Sequence, residues 1–262
     1  MKIAISGKGG VGKTTLAAFL ARALKGKGYK VLCVDADPDA NLAGALGFKD
    51  AGSITPIAEM KELIEERTGA KPGTMGGFFK MNPKVDDLPD ALAKEQDGIR
   101  LMVMGTVKTG GSGCVCPESV LLKNLIQHLL IERKDAVIMD MEAGIEHLGR
   151  ATAFAVDLMI VVVEPGRRSL ETAAAVKKLA AEIGIKKVAA VGCKVRNDQD
   201  AEFLKRELDI PFLGYLPFRQ EIIQADLEGK PAFELAPDLL VVAEDLVSKI
   251  EAMLKKDILM GA

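Results

Sequence analysis

Short, largely apolar runs alternate along the chain with segments of helical period. Residues 3–5, 31–34, 99–104, 136–139, 158–163, 188–191 and 212–216 read as strands. Residues 14–24, 54–67, 120–131, 169–183 and 199–208 read as helices, and the C-terminal region is helical throughout. Strands that are apolar on both sides must be covered on both faces, which points to a parallel sheet. Right-handed crossovers then give an α/β fold: a doubly wound, mostly parallel sheet with helices on both faces. No stretch has the composition of a linker, so residues 1–262 read as one domain. Residues 68–98 are irregular and rich in Gly, Pro and Asp, and residues 105–117 form a glycine-rich loop. Long ordered loops in compact domains are often functional.

Composition narrows the classes of function. Hydrophobic residues make up 48% and charged residues 27%, which excludes disordered and collagen-like chains. Lys and Arg number 35 and Asp and Glu 37, a balance of −2, so there is no general basic field for nucleic acid or anionic lipid. Aromatic residues reach only 4%, with no Trp, which argues against base-stacking platforms. The expected partners therefore include no nucleic acid and no stable membrane association. The apolar run after Lys2 is too short for a secretory leader, and no run reaches the ~18 residues of a spanning helix. A cytoplasmic location is expected. The four cysteines are then thiols or metal ligands rather than disulfides. Cys33 and Cys193 sit in or beside apolar runs and read as core residues.

The chemistry starts at Gly7-Lys8-Gly9-Gly10-Val11-Gly12-Lys13-Thr14, a G-x-x-x-x-G-K-[ST] loop between a strand and a helix. Its glycines let the backbone wrap a phosphate, and the helix N-terminus faces the anion. Gly9, Gly10, Val11, Gly12, Lys13, Thr14 and Thr15 form the expected nucleotide cradle. Lys13 should reach the β- and γ-phosphates, and the Thr14 hydroxyl should bind Mg²⁺. Lys8, which the general motif does not require, could stabilise charge building on a transferring phosphoryl group.

Two acidic segments follow strands. Asp35-Ala36-Asp37-Pro38-Asp39-Ala40-Asn41 lies where open α/β sheets bind ligands, and one of its carboxylates could position water or support Mg²⁺. Asp140-Met141-Glu142-Ala143-Gly144 closes the strand over 136–139, with Asp140 placed to hold Mg²⁺ directly or through water. Glu146 and His147 follow, and metal ligation by His147 is a minor alternative to a solvated side chain.

The most distinctive segment after the phosphate loop is Gly111-Ser112-Gly113-Cys114-Val115-Cys116-Pro117. C-x-C spacing alone is a weak signal. Here a glycine-rich loop can turn the two sulfurs toward each other, and the following helix start, expected near Glu118, favours thiolates. One chain supplies two thiolates, whereas a closed tetrahedral site needs four. Two copies meeting at this loop would supply the set on a two-fold axis. A buried thiol pair and a redox pair are the competing readings.

KGGVGKTT resembles the deviant Walker A box of the MinD/ParA and nitrogenase iron-protein group of P-loop ATPases. Together with DADPDANL, GSGCVCPE and DMEAGIEHLGR, it resembles the CooC-type accessory ATPases, which support nickel insertion into carbon monoxide dehydrogenase. The related ATPases that mature acetyl-CoA synthase resemble it equally. The resemblance implies an ATP-hydrolysing homodimer that depends on nucleotide and metal. It implies Lys8, Lys13 and Asp37 as catalytic residues, Lys8 acting on the nucleotide of the partner subunit. It implies Asn41 in a segment that moves with nucleotide state, and Asp140 as Mg²⁺ support. Cys114 and Cys116 would bind Ni²⁺ or Zn²⁺ between subunits, with carbon monoxide dehydrogenase or acetyl-CoA synthase as the client. Lys194 and Pro217 would lie at the base, although Cys193 stands where the group commonly carries an Asn; Asn197 could compensate. An iron–sulfur cluster carrier and a positioning ATPase that binds membrane or DNA remain the alternatives.

Overall fold

The computed structural model describes residues 1–73, 78–105, 116–142 and 153–255. Eight strands form one sheet: β1 (Lys2–Gly7), β2 (Val31–Asp35), β3 (Lys94–Gln96), β4 (Ile99–Val103), β5 (Ala136–Asp140), β6 (Leu158–Val163), β7 (Val188–Val195) and β8 (Phe212–Pro217). Their order is β3-β4-β2-β5-β1-β6-β7-β8. Only the β3–β4 pair is antiparallel.

Ten α-helices lie among the described residues. They are α1 (Lys13–Gly26), α2 (Leu42–Leu46), α3 (Lys61–Thr68), α4 (Leu88–Leu92), α5 (Pro117–Ile131), α6 (Arg167–Ile183), α7 (Asp198–Glu207), α8 (Gln220–Leu227), α9 (Ala232–Leu235) and α10 (Leu239–Lys255).

Alternate strand residues feed two cores. Ile3, Ile5, Cys33, Ile138, Ile160 and Val162 face one side, packed with Leu16 and Leu20 of α1 and with Leu246 and Ile250 of α10. Ala4, Leu32, Val34, Val137, Met139 and Val161 face the other, packed with Leu121, Leu125 and Leu129 of α5 and Ala173 and Val176 of α6. Both faces are covered, as the unbroken apolar strands require. The last helix, α10, is a core element: Leu239, Ala243, Leu246, Val247 and Ile250 are buried. No helix among the described residues is long and apolar enough to cross a membrane.

From β1 the chain winds outward through β2 and β4, whereas from β5 it winds the opposite way through β6, β7 and β8. The reversal falls between β1 and β5, where open α/β sheets form a ligand crevice at the carboxyl ends of their strands. The phosphate loop leaves β1 there, and Asp140 ends β5 beside it, in register with Ile5.

Three stretches differ from the sequence reading. The helix expected over 54–67 is a 3₁₀ turn (Ile57–Glu59) followed by α3. Pro56 keeps Thr55 out of the helical region, which removes the expected first turn, and Met60, with ψ 78°, separates the 3₁₀ turn from α3. The irregular stretch over 68–98 contains α4 and the edge strand β3, whose Lys-Glu-Gln sequence carries no apolar signal. Helix α5 starts at Pro117, one turn before the apolar period becomes visible.

Candidate functional site

Strand β1 runs into the phosphate loop through Gly7, where a Cβ would meet the Val162 carbonyl oxygen at 2.6 Å. Gly12 N-caps α1 with φ 108°, a left-handed conformation that favours glycine. Its carbonyl accepts the first helical hydrogen bond, from Leu16 N–H at 3.0 Å. Lys13 opens α1 and is 6% exposed. Its ammonium lies 3.8 Å from Asp37 Oδ2. Lys8 is exposed, and the Val11 N–H donates to its carbonyl at 3.2 Å.

Asp37 is held in place by Asp35, a residue that the sequence reading placed in the acidic cluster without assigning it a task. Asp35 is the last residue of β2 and is fully buried. Its Oδ1 accepts from Asp37 N–H at 3.2 Å, and its Oδ2 accepts from Leu42 N–H at 2.9 Å. One carboxylate thus pins both ends of the turn that carries Asp37. Asp37 Oδ1 in turn accepts from Asp39 N–H at 3.0 Å, which leaves Oδ2 toward Lys13. Asn41 donates to the Asp39 carbonyl at 2.8 Å. The signal for Asp35 was an acid directly continuing an apolar strand.

Asp140 is 1% exposed, and both of its carboxylate oxygens are buried without a hydrogen-bond partner among the described residues. Burial pushes its pKa up to about 7; the nearby Thr14 hydroxyl and Lys13 oppose this, while Asp35 and Asp37 add to it. The Thr14 hydroxyl is close enough to favour the ionised form, yet it makes no hydrogen bond of ordinary geometry with either oxygen. A buried carboxylate with two unsatisfied oxygens beside a hydroxyl and an ammonium fits a divalent cation with oxygen ligands. Ser6 donates to the Glu142 carbonyl at 3.0 Å and fixes the chain just past Asp140.

On the far side of the loop, β7 carries Cys193 and Lys194. Lys194 has φ 58° at an irregularity in the β7–β8 pairing. Its ammonium donates to the Gly10 carbonyl at 2.6 Å and lies 3.5 Å from Glu164 Oε2. Cys193 is 4% exposed and packs beneath Gly12, where a Cβ would come within 3.3 Å of its own. Burial pushes its thiol up to about 12, so it is an uncharged packing group. Asn197 is engaged elsewhere: its Oδ1 accepts from Asp200 N–H at 2.9 Å and caps α7. Pro217 ends β8, tied to β7 by the bond from Phe218 N–H to the Val195 carbonyl at 2.8 Å.

Lys13, Thr14, Asp37 and Asp140 therefore converge on one crevice, and Lys194 closes over the loop. Cys116 lies elsewhere, as the N-cap of α5. It is 3% exposed and contacts the Ser119 hydroxyl at 3.1 Å. Cys114 and His147 lie outside the described residues. No cluster of three metal-ligating side chains occurs among the described residues.

The family model for the CobQ/CobB/MinD/ParA nucleotide binding domain matches residues 2–232. The chain is 48% identical over 240 residues to the carbon monoxide dehydrogenase accessory protein CooC of Rhodospirillum rubrum, covering 90% of this chain and 91% of that one. It is 50% identical over 234 residues to an uncharacterised ATP-binding protein of Methanocaldococcus jannaschii, covering 88% and 90%. In fold it is similar to the cell division ATPase MinD of Pyrococcus furiosus, with a TM-score of 0.69, 22% identity and coverage of 96% and 99%. The chain belongs to the CobQ/CobB/MinD/ParA nucleotide-binding family and, within it, to the CooC-type accessory ATPases, and it hydrolyses ATP.

Proposed function

We propose that this ATPase is a dimeric metallochaperone that binds Ni²⁺ or Zn²⁺ through Cys114 and Cys116 at a subunit interface. In this reading it matures carbon monoxide dehydrogenase or the related acetyl-CoA synthase. The observation that carries the reading is the position of Cys116. It caps the helix that leaves the carboxyl edge of the sheet, the same edge that bears the phosphate loop. The 48% identity to CooC supports the client class.

Residues 9–15 cradle the phosphates with backbone N–H groups at the N-terminus of α1. Lys13 neutralises charge on the β- and γ-phosphates. Thr14 and Asp140 would hold Mg²⁺, which supplies charge neutralisation to the triphosphate. Asp37 orients the attacking water through Oδ2, because its other oxygen is committed to Asp39 N–H. Lys8, exposed on the rim, reaches the nucleotide of a second copy and stabilises the charge that develops as the γ-phosphoryl group leaves. Lys194 and Pro217 border the base. Lys194 also holds the loop closed through Gly10.

ATP draws two copies together and hydrolysis loosens them, so metal affinity follows nucleotide state. By linkage, metal must change ATP affinity by the same factor. Calorimetric titration of the full chain with Ni²⁺ or Zn²⁺, in ADP and in a non-hydrolysable ATP analogue, tests this. Equal metal affinity in both states would refute the coupling.

A further inference from the structure

Lys8 opens a tight turn at the tip of the phosphate loop. The bond from Val11 N–H to the Lys8 carbonyl, at 3.2 Å, closes that turn around Gly9 and Gly10. Gly10 has φ 73°, as the third residue of a type II turn requires. Residues 8–10 are exposed, and a Cβ built on Gly9 or Gly10 would meet nothing within 4 Å. The tip therefore stands clear of the rest of the fold. Among the described residues, the one side chain that hydrogen-bonds to it is Lys194, whose ammonium donates to the Gly10 carbonyl at 2.6 Å.

The backbone is shaped to bring Lys194 there. Strands β1, β6 and β7 are successive neighbours in the sheet, so a side chain from the end of β7 has to pass the end of β6 to meet the loop. An irregularity in the β7–β8 pairing between Gly192 and Val195 holds Lys194 at φ 58°, a left-handed conformation that residues other than glycine seldom adopt. Glu164 directly follows β6, and its Oε2 lies 3.5 Å from the Lys194 ammonium. Glu164 N–H donates to the hydroxyl of the buried Ser169 at 3.0 Å, which fixes its backbone. The ion pair is partly exposed and adds little stability. Its effect is to set the direction of the ammonium.

We propose that Lys194 is a positioning residue for Lys8: by holding the Gly10 carbonyl it fixes the turn from which Lys8 projects toward the nucleotide of a second copy. This rests on the reading of Lys8 given above and adds the residue that aims it. A charge stabilises a leaving phosphoryl group only when it is held in place beforehand, and a loop tip without packing supplies no such hold of its own. Loss of Lys194 therefore slows phosphoryl transfer in the partner subunit and not in its own.

Steady-state ATPase kinetics of the full chain test this. Lys194→Met, which keeps the stem and loses the donor, should lower kcat roughly 10–100-fold, while KM for ATP stays near its wild-type value. Thermal melts check its fold. Glu164→Gln, which keeps the ammonium and loses its anchor, should lower kcat by a smaller factor. Complementation in equimolar mixtures decides where Lys194 acts. Mixed with Asp37→Ala, Lys194→Met should recover roughly a quarter of wild-type activity, because one site of the mixed dimer has both Asp37 and a well-aimed Lys8. Mixed with Lys8→Ala, it should show no more than the mean of its parents, because neither site receives a well-aimed Lys8. Wild-type kcat in Lys194→Met, or a raised KM alone, overturns the proposal. So does a mixture with Asp37→Ala that fails to recover while Lys8→Ala with Asp37→Ala does, since Lys194 then serves its own nucleotide. Failure of Lys8→Ala with Asp37→Ala would instead overturn the underlying reading of Lys8, so the two failures are distinguishable.

Discussion

Asp35 and Asp140 stand directly opposite one another as the last residues of adjacent strands β2 and β5. Both are buried, and burial raises Asp35 to about 6 and Asp140 to about 7. Backbone N–H groups of Leu42 and Asp37 partly offset the shift of Asp35. Without metal, the folded chain therefore holds protons there that the unfolded chain releases near 3.8. Where the folded state binds more protons, stability falls as pH rises. The contribution of this pair is complete below the unfolded value and is lost as pH rises through 6 and 7. Denaturant melts of the apo protein across that range should show the decline, and Asp140→Asn should flatten it.

The same protonation predicts a metal linkage. Asp140 must release its proton to hold Mg²⁺, so Mg²⁺–ADP binding should strengthen with rising pH through about 7. Calorimetry in two buffers of different ionisation enthalpy should reveal proton release on binding. Asp140→Asn should abolish it.

Asp35 acts through Asp37, so the two should separate kinetically. Asp37→Ala should lower kcat by roughly 10²–10⁴-fold while ADP still binds. Asp35→Ala leaves the Leu42 and Asp37 N–H groups without their acceptor. It should cost about 1–3 kcal/mol of stability as well as kcat. Steady-state kinetics together with urea melts distinguish the two variants.

A lysine that acts on the partner's nucleotide can be tested by mixing inactive proteins. Lys8→Ala retains Asp37, and Asp37→Ala retains Lys8. In a mixed dimer one of the two sites regains both groups, so an equimolar mixture should recover roughly a quarter of wild-type activity by isologous pairing. A mixture as inactive as its parents would show that Lys8 acts within its own subunit.

Cys193 packs under Gly12 and is not free to read a base. Restoring Asn there should not sharpen discrimination between ATP and GTP. Cys193→Asn would bury an amide in a gap fitted to a thiol and should destabilise the chain by about 1–3 kcal/mol. Thermal melts and competition between the two nucleotides check both parts.

How much was legible in the sequence depended on whether a residue's task leaves a local pattern. The parallel sheet was visible because its strands are apolar on both faces, and the phosphate loop was visible because its glycines and Lys13 have fixed spacing. β3 was not visible, since an exposed edge strand needs no apolar residues. The contacts of Ser6 with the Glu142 carbonyl and of Lys194 with the Gly10 carbonyl span 136 and 184 residues, which no local window contains. Cys193 looked like a missing Asn; its actual surroundings are set by the φ 108° turn at Gly12, far away in sequence.

A metal shared between two ATP-binding subunits is what the proposed function requires. Anaerobic size exclusion with light scattering and elemental analysis tests it most directly, with Ni²⁺ or Zn²⁺ and with ADP or ATP. The expected result is one metal per dimer, lost in Cys114→Ala/Cys116→Ala. An ATP-dependent dimer that retains no metal and is indifferent to the double substitution would contradict it and favour a positioning ATPase.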